Sequence, residues 1–470
     1  MRCVLFLQGP CTPLWRELAH GFEQSGARVR KIHVSPADAA FWLPRVGSFY
    51  LGRFAGWRAF LARRLAAWGV TDIVAYADRQ PYHVVAQELA AASGVRFWVV
   101  ENGYLRPDWL TLERDGMSAY SRLPDDPQTI RARAEGLEMP DLEVRYRHDM
   151  ATEMACELLY HGMNTVLRPL APFFRSGRAV NALFEHAVGT PHAWRRDRLE
   201  REAVATTEAL WASGAPYVVM PLQLQTDQAI LANSPFAHLS QAIERTIASF
   251  ARCASADMRL VFKQHPHDND WENWPKRVAD AARGVGVSDR VLFLDGGDLE
   301  GLLRRARGCV TVNSTSGLQA LRLLCPTAVL GVAVYDMPGL THGGGMAGRS
   351  DTPVVERTQD VDGRADPRVK PGDCHDGGSG DGEEDGEGGT DAKLDRFWVD
   401  PDPVDAGLLD AFLRVLAHEA QVKGSFYDPA GRAAAVAEIV RRVLAAPPDG
   451  AEPRPAPRLR RLKPNFAAAT

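Results

Sequence analysis

The sequence predicts an α/β fold built from two Rossmann-like domains facing a cleft, and three observations predict it. Short apolar runs of strand length alternate with helix-length amphipathic stretches, in two separate series. The runs end abruptly in polar residues, as strands of a parallel sheet do at its carboxyl edge. At 470 residues, with 45% apolar and 24% charged side chains, the chain is long enough for two or three cores.

Taken in order, CVLFL (3–7) reads as a strand, QGPCTP as a loop and LWRELAHGFEQSG (14–26) as a helix, with ARVRKIHV (27–34) the next strand. A helical stretch covers Phe54–Trp68; the strand DIVAY (72–76), a helix through VVAQELAAASG (84–94) and the strand RFWVV (96–100) follow. Residues 125–210 are mostly helical, with polar breaks. The second series opens with PYVVMPLQ (216–223), passes through a helix near 239–253, and continues with RLVFKQ, VLFLD, CVTVN and TAVLG. This spacing places an N-terminal Rossmann-like domain at 1–205 and a C-terminal one at 206–350. Residues 351–392 are rich in Gly and acid, lack apolar periodicity and read as a disordered insertion. Helices are expected over 393–446, and the basic, Pro-rich tail 447–470 is expected to be unpacked.

The net charge of −4 hides an asymmetry. Residues 351–391 hold thirteen Asp and Glu against four Lys and Arg, a local −9, so the remainder carries +5 by subtraction. A mildly basic body is compatible with acidic substrates or an anionic membrane surface. The seven cysteines are scattered, with no CxxC or Cys/His spacing, and read as small core residues of a reducing compartment. The opening MRCVLFLQGP is broken too soon by Gly9 and Pro10 for a signal peptide, and no run reaches the about 18 apolar residues of a spanning helix. The expectation is a cytoplasmic protein.

Four segments carry chemistry. RLVFKQHP delivers Lys263 and His265 at a strand end, where a cation and an imidazole suit a phosphate. VTVNSTSGLQAL delivers Asn313, Ser314, Thr315, Ser316 and Gly317 at a helix start, a set that is either an ordinary cap or a phosphate cradle. ENGYLRPDW places Glu101 at the end of a strand, with Gly103 for tight backbone passage and Arg106 to bind an acidic sugar; the bland alternative is that Glu101 and Arg106 pair with each other. PLQLQTDQ places Gln223 and Gln225 within reach of sugar hydroxyls, and Asp227 either caps the following helix or acts as a carboxylate in catalysis. Two carboxylates are what glycosyl transfer with retention uses, one as nucleophile and one as acid/base. Asp268-Asn269-Asp270 reads as a solvated loop. Residues 41–68 contain five arginines, eight aromatics and no acid, which fits either an amphipathic core helix or a membrane interface with an anionic lipid. No GxxxxGK[ST] is present, LQGP at 7–10 does not form GxGxxG, which argues against a dinucleotide enzyme, and nothing resembles a nucleic-acid recognition module.

Together these segments resemble the capsular polysaccharide biosynthesis and export family, of the KpsS/LipB type related to KpsC. The resemblance rests on LQGP at 7–10, E-x-G-[FY]-[LI]-R at Glu101–Arg106, Q-x-x-x-D at Gln223–Asp227 and K-x-H-P at Lys263–Pro266. It continues with N-S-x-x-G-x-x-A-L at Asn313–Leu321, GLT at 339–341 and GSFY at 424–427, in order over nearly the whole chain apart from the acidic insertion. It implies a GT-B-like fold and a retaining transferase that moves β-Kdo from CMP-Kdo to a phosphatidylglycerol-type lipid, starting the capsular linker. By position, it implies Asp227 as nucleophile and Glu101 as acid/base. Lys263 and His265 would hold the CMP phosphate or the Kdo carboxylate, and Ser314, Thr315, Ser316 and Gly317 would receive the phosphate. The first domain would serve the acceptor and the second the donor. No metal or other cofactor is implied, and the implied location is the inner face of the cytoplasmic membrane. The implied partners are CMP-Kdo, an anionic phospholipid acceptor and other capsule biosynthesis or export proteins, with no nucleic acid. The sequence departs from its relatives at Asn102 and His342, where sugar or acceptor contacts stay open. The competing functions are another CMP- or nucleotide-sugar transferase and a non-catalytic scaffold of the export complex.

Overall fold

The computed structural model describes residues 1–147, 149–177, 182–344 and 386–447. Among them the first six strands are β1 (Cys3–Phe6), β2 (Arg28–His33), β3 (Ser48–Phe49), β4 (Asp72–Tyr76), β5 (Arg96–Asn102) and β6 (Trp109–Arg114). The next five are β7 (Tyr217–Pro221), β8 (Arg259–Lys263), β9 (Val291–Leu294), β10 (Gly308–Thr311) and β11 (Thr327–Val329), and β12 (Gln421–Lys423) is the last. They form two sheets in two compact units. Among the described residues, one unit takes 1–124, 128–188 and 410–447, the other essentially 189–409. The expected boundary at 205/206 falls inside one continuous helix, Ala182–Ser213.

The first unit's sheet has the order β12-β6-β5-β4-β1-β2-β3. Its five strands β5-β4-β1-β2-β3 are mutually parallel, as the alternating pattern predicts. The sheet is mixed, however, because β6 and β12 join one edge antiparallel. The sequence pattern missed both strands. Only the six residues 103–108 separate β5 from β6, too few for a parallel crossover of about a dozen residues, so the chain must turn back on itself. Apolar side chains fill both faces. Ile32, Ile73 and Phe97 meet Trp57, Leu61 and Tyr82 on one side, while Val4, Phe6 and Val74 meet Leu14, Leu18, Ile439 and Val443 on the other. The helix Pro429–Ala445 is therefore part of this unit's core, packed on the helix Leu14–Gln24.

The second unit's sheet, β11-β10-β7-β8-β9, is parallel throughout. The helix Gly386–Val399 starts within the segment expected to be a disordered insertion, so that expectation ends too late; residues 351–385 lie outside the described residues. Leu394, Phe397 and Trp398 of this helix belong to the core with Ile243, Phe250 and Phe262, because its apolar face needs a partner. The expected helical block 393–446 thus has its first helix in one unit and its last in the other. Most of the tail expected to be unpacked, 448–470, also lies outside the described residues. The scattered Cys3, Cys309 and Cys325 are buried free thiols, in keeping with the core reading. No described helix is long and apolar enough to cross a membrane.

At the end of β4 the chain makes a tight turn through Ala77, whose φ is +56°. The Ala77 carbonyl oxygen lies 2.8 Å from Nδ1 of the fully buried His83, in the first turn of the helix Pro81–Ser93. Burial pushes His83 down from 6.5 to about 4. The unfolded chain therefore binds the extra proton more tightly, and stability is lost as pH falls from about 6.5 toward about 4. The expected loss from this residue is about 2 kcal/mol between roughly pH 7 and roughly pH 5. Urea unfolding of His83→Asn at both pH values should show a slope smaller by that amount; an unchanged slope would contradict the assignment.

Candidate functional site

In the second unit the chain runs outward from β7 to β8 and β9, then returns to lay β10 on the other side of β7. A parallel sheet leaves a crevice at the carboxyl ends of the strands where its order reverses, here those of β7 and β10. Gln223 and Asn313 meet at that point. The Gln223 Nε2 donates to Asn313 Oδ1 (3.0 Å), and the Asn313 backbone N–H donates back to Gln223 Oε1 (3.3 Å). Asn313 Nδ2 also donates to the carbonyls of Ala229 (2.7 Å) and Asn233 (2.9 Å). These two amides clamp the loops together, a different use from the sugar contact expected of Gln223. Gln225 likewise accepts from the Leu239 N–H (2.8 Å).

The hydroxyl-rich segment after β10 is a capped helix start. Ser314 Oγ accepts from the Ser316 N–H (3.1 Å), and the Ser314 N–H donates to Thr311 Oγ1 (3.2 Å). Thr315 and Ser316 open the helix Thr315–Arg322, half-exposed at the carboxyl edge of the sheet. Gly317 is needed for packing, because a Cβ there would collide with the ring and hydroxyl of Tyr335. The Tyr335 hydroxyl in turn donates to the Ser314 carbonyl. Sequence reasoning missed Tyr335, whose partner is remote along the chain.

Lys263 closes β8 with only 6% of its surface exposed. Burial lowers its pKa, against the opposing pull of Glu200, Asp295 and Asp298. Those carboxylates lie on the β9 side. Glu200 accepts from the Gly297 N–H (3.0 Å) and fills the space that a Gly296 side chain would need. Lys263 and Ser314 are thus not neighbours: β7 lies between β8 and β10, which sets them about 10 Å apart in the direction across the strands. A single phosphate does not touch both, whereas a nucleotide lying along the carboxyl edge spans them. His265 follows β8, half-buried, with Nδ1 accepting from the His267 N–H (3.1 Å), which leaves Nε2 as the proton-bearing nitrogen of the neutral ring. Asp268 of the DND sequence is buried and bonded to Trp274 Nε1 (3.0 Å), so that loop is built in rather than solvated. Gln264, 2% exposed, has neither amide atom hydrogen-bonded. Asp227 is exposed and caps the helix Gln228–Asn233 by accepting from the Ala229 N–H (2.9 Å). His342, where sugar contacts stayed open, is fully buried between Lys393 O and the Asp402 N–H.

In the first unit the order reverses at β1 and β4, and Glu101 ends the neighbouring strand β5. The Tyr76 phenol bonds to Glu101; burial first, then that carboxylate, holds Tyr76 well above its ordinary pKa, so it stays a donor. Tyr427 and Cys11 lie beside them. Glu101 also accepts from the backbone N–H (3.1 Å) and side chain (3.3 Å) of Asn102. Arg106 is exposed and directed back to Gly103 O (3.4 Å), so the alternative of a Glu101–Arg106 pair is not what forms. Gly103 donates to Trp109 O (2.8 Å), so close that no Cβ fits, and Gln421 of β12 accepts from the Tyr104 N–H (2.7 Å) to hold the loop. The LQGP loop is tied down by the buried Lys31, which donates to Leu7 O (2.7 Å) and Asp38 Oδ1 (2.7 Å), the latter also accepting from the Gly9 N–H (3.3 Å).

Comparison with known proteins adds to this geometry. Residues 71–360 match the family described as capsule polysaccharide biosynthesis protein. The chain is 28% identical over 348 residues to the capsule polysaccharide export protein KpsS of Escherichia coli, covering 72% of this chain and 87% of that one. It is 27% identical over 354 residues to the capsule polysaccharide modification protein LipB of Neisseria meningitidis serogroup B (strain ATCC BAA-335 / MC58), covering 72% and 82%. Among solved structures, KpsC, the beta Kdo 2,7 transferase of Thermosulfurimonas dismutans, aligns over 94% of this chain and 100% of that one, with 12% identity and a TM-score of 0.42.

Two substitutions test the packing of the second unit. Gly317→Ala forces Tyr335 aside and should cost about 1–3 kcal/mol in chemical unfolding. Gln264→Leu replaces an unbonded buried amide with an apolar group of similar size and should leave stability unchanged or raise it by about 1 kcal/mol. A loss larger than that would show the amide to be bonded within the folded chain.

Proposed function

The chain belongs to the capsule polysaccharide biosynthesis protein family, and we propose that within it the chain is a retaining glycosyltransferase. In this reading it moves β-Kdo from CMP-Kdo to a phosphatidylglycerol-type lipid at the inner face of the cytoplasmic membrane, starting the capsular linker and working beside other capsule biosynthesis or export proteins. The observation that carries the reading is the carboxyl edge of the second unit's sheet. There a buried lysine ammonium and a capped, hydroxyl-rich helix start flank the point where the strand order reverses. An anionic nucleotide laid along that edge meets positive charge at Lys263 and donors at Ser314, Thr315 and Ser316. Lys263 arrives with acidic neighbours, so it serves an anion only by being shared between them and the ligand.

The chemistry assigned to single residues follows the ordered motifs. Asp227 acts as the nucleophile on the anomeric carbon of Kdo: its carboxylate forms the covalent bond as the bond to the CMP phosphate breaks. Glu101 takes the proton of the acceptor hydroxyl as that oxygen displaces the Asp227 carboxylate, and Glu101 then releases the proton to solvent, which restores the starting state. The Tyr76 and Asn102 donors hold that carboxylate in one orientation. His265 holds the departing phosphate or the sugar carboxylate, and Arg106 is available to an acidic sugar. The leaving phosphate carries its own charge, so the reading includes no metal.

Purified protein incubated with CMP-Kdo and phosphatidylglycerol should release CMP and yield a lipid heavier by Kdo. Asp227→Ala and Glu101→Gln should each lower turnover by at least about 1,000-fold. Loss of the Asp227 cap alone accounts for only about 1 kcal/mol of stability. Lys263→Met should raise KM for CMP-Kdo more than it lowers kcat, and EDTA should leave the rate unchanged. Near-wild-type transfer by both carboxylate variants would remove the assignment. Turnover with a different CMP-sugar in place of CMP-Kdo would keep the reaction class and change the donor, and binding to export proteins without any turnover would favour a scaffold.

A further inference from the structure

An open surface cavity of about 370 Å³ lies on the first unit, lined by Arg53, Phe54, Ala55, Phe173 and Arg175. Its walls alternate cation and ring. The Arg53 guanidinium lies 4.6 Å from the centre of the Phe173 ring, and that of Arg175 lies 5.0 Å from the Phe54 ring. Stacking fixes the plane of each guanidinium and leaves its N–H fork available. Two other arginines of the stretch 41–68 are paired, Arg45 with Glu23 and Arg58 with Glu88, whereas Arg53 and Arg175, like Arg63 and Arg64, have no carboxylate partner among the described residues. The floor is rigid: the Tyr82 hydroxyl accepts from the Arg175 N–H (3.2 Å), Tyr82 stacks on Phe174, and Phe54 meets Tyr82 edge-on. Arg168 and Arg175 both act on that phenol electrostatically, which adds a third positive charge to the neighbourhood.

The chain segments that carry the two arginines also expose apolar side chains. Leu51, Leu170 and Phe173 are 46%, 62% and 42% exposed, and the helix Met150–Val166 that leads to this segment turns Met150, Met154 and Leu158 outward at four-residue spacing. Its inner side carries Tyr160 into the core. Exposed apolar side chains on the segments that carry unpaired arginines are the pattern of an interfacial surface, with rings and alkyl chains entering the headgroup boundary and guanidiniums meeting lipid phosphates.

We infer that this face of the first unit docks on an anionic phospholipid bilayer, with a lipid phosphate held between Arg53 and Arg175. The inference names the lipid surface belonging to the transferase reading and rests on it only for relevance. Docking is measured without any sugar donor, so its failure and the failure of the transferase reading are separate results.

The test is sedimentation of the full chain with vesicles of phosphatidylcholine alone or mixed equally with phosphatidylglycerol. Wild type should bind the mixed vesicles, bind neutral ones far more weakly, and lose affinity as salt rises. The double variant Arg53→Ala/Arg175→Ala should bind the mixed vesicles about thirty-fold more weakly, with an unchanged thermal midpoint. Leu170→Ser should weaken binding about five-fold through lost burial alone. Soluble glycerol phosphate, the competing source of the same chemistry, should displace the protein only at high concentration. Equal binding to neutral and anionic vesicles, wild-type affinity in the double variant, no binding at all, or full displacement by glycerol phosphate at low concentration would each overturn the inference.

Discussion

Both sheets depend on one topological constraint: the chain lays strands outward on one side of its first strand, then crosses back to the other side. In the second unit the crossing separates β7 from β10, and in the first it separates β1 from β4. Parallel strands all deliver their following loops to the same edge, and the reversal sends neighbouring loops in opposite directions, leaving a gap that side chains must line. The polar motifs that follow these strands lie at that edge because strands end there. In the second unit the gap is braced by the mutual amide bonds of Gln223 and Asn313, which sets how far the Ser314 helix start stands from the β7 loop.

Burial then divides the polar residues of the edge into those that hold the frame and those that stay open to solvent. Asn313 and Gly317 are consumed by the frame, the first by the carbonyls of Ala229 and Asn233, the second by the ring of Tyr335. Thr315 and Ser316 stay half-exposed. Lys263 is intermediate, desolvated yet surrounded by acids, a balance in which burial outweighs the nearby carboxylates and lowers its pKa. Glu101 is held by a phenol and an amide that must both remain donors, so its orientation depends on residues 76 and 102 as much as on its own backbone.

The legible parts of the fold were those with local signals. Nine strands follow from apolar runs with sharp ends, and helices such as Leu14–Gln24 and Leu239–Cys253 follow from their periodicity. β3, with two residues, and β12, with three, are too short to show a period. β6 follows directly on Gly103, Arg106 and Pro107, and its strand character shows only once β5 offers it a partner. The Gly- and acid-rich composition predicts a disordered insertion as far as 392, yet the helix Gly386–Val399 begins earlier, stabilised by the contacts of Phe397 and Trp398 with a core far away in sequence.

The sequence by itself determined the fold class, the two alternating series and the residue types at each strand end, because periodicity and chain direction are local properties. It also placed Gly103 where the backbone must pass closely, since only glycine lacks the Cβ that would meet Trp109. Tertiary structure alone decided which of those residues meet. Lys263 and Ser314 look like partners along the chain and are two strands apart in the sheet, while Tyr76 and Glu101 look unrelated and share a hydrogen bond. Strand order is set by which apolar faces pack together, and that packing joins residues whose separation in sequence carries no record of it.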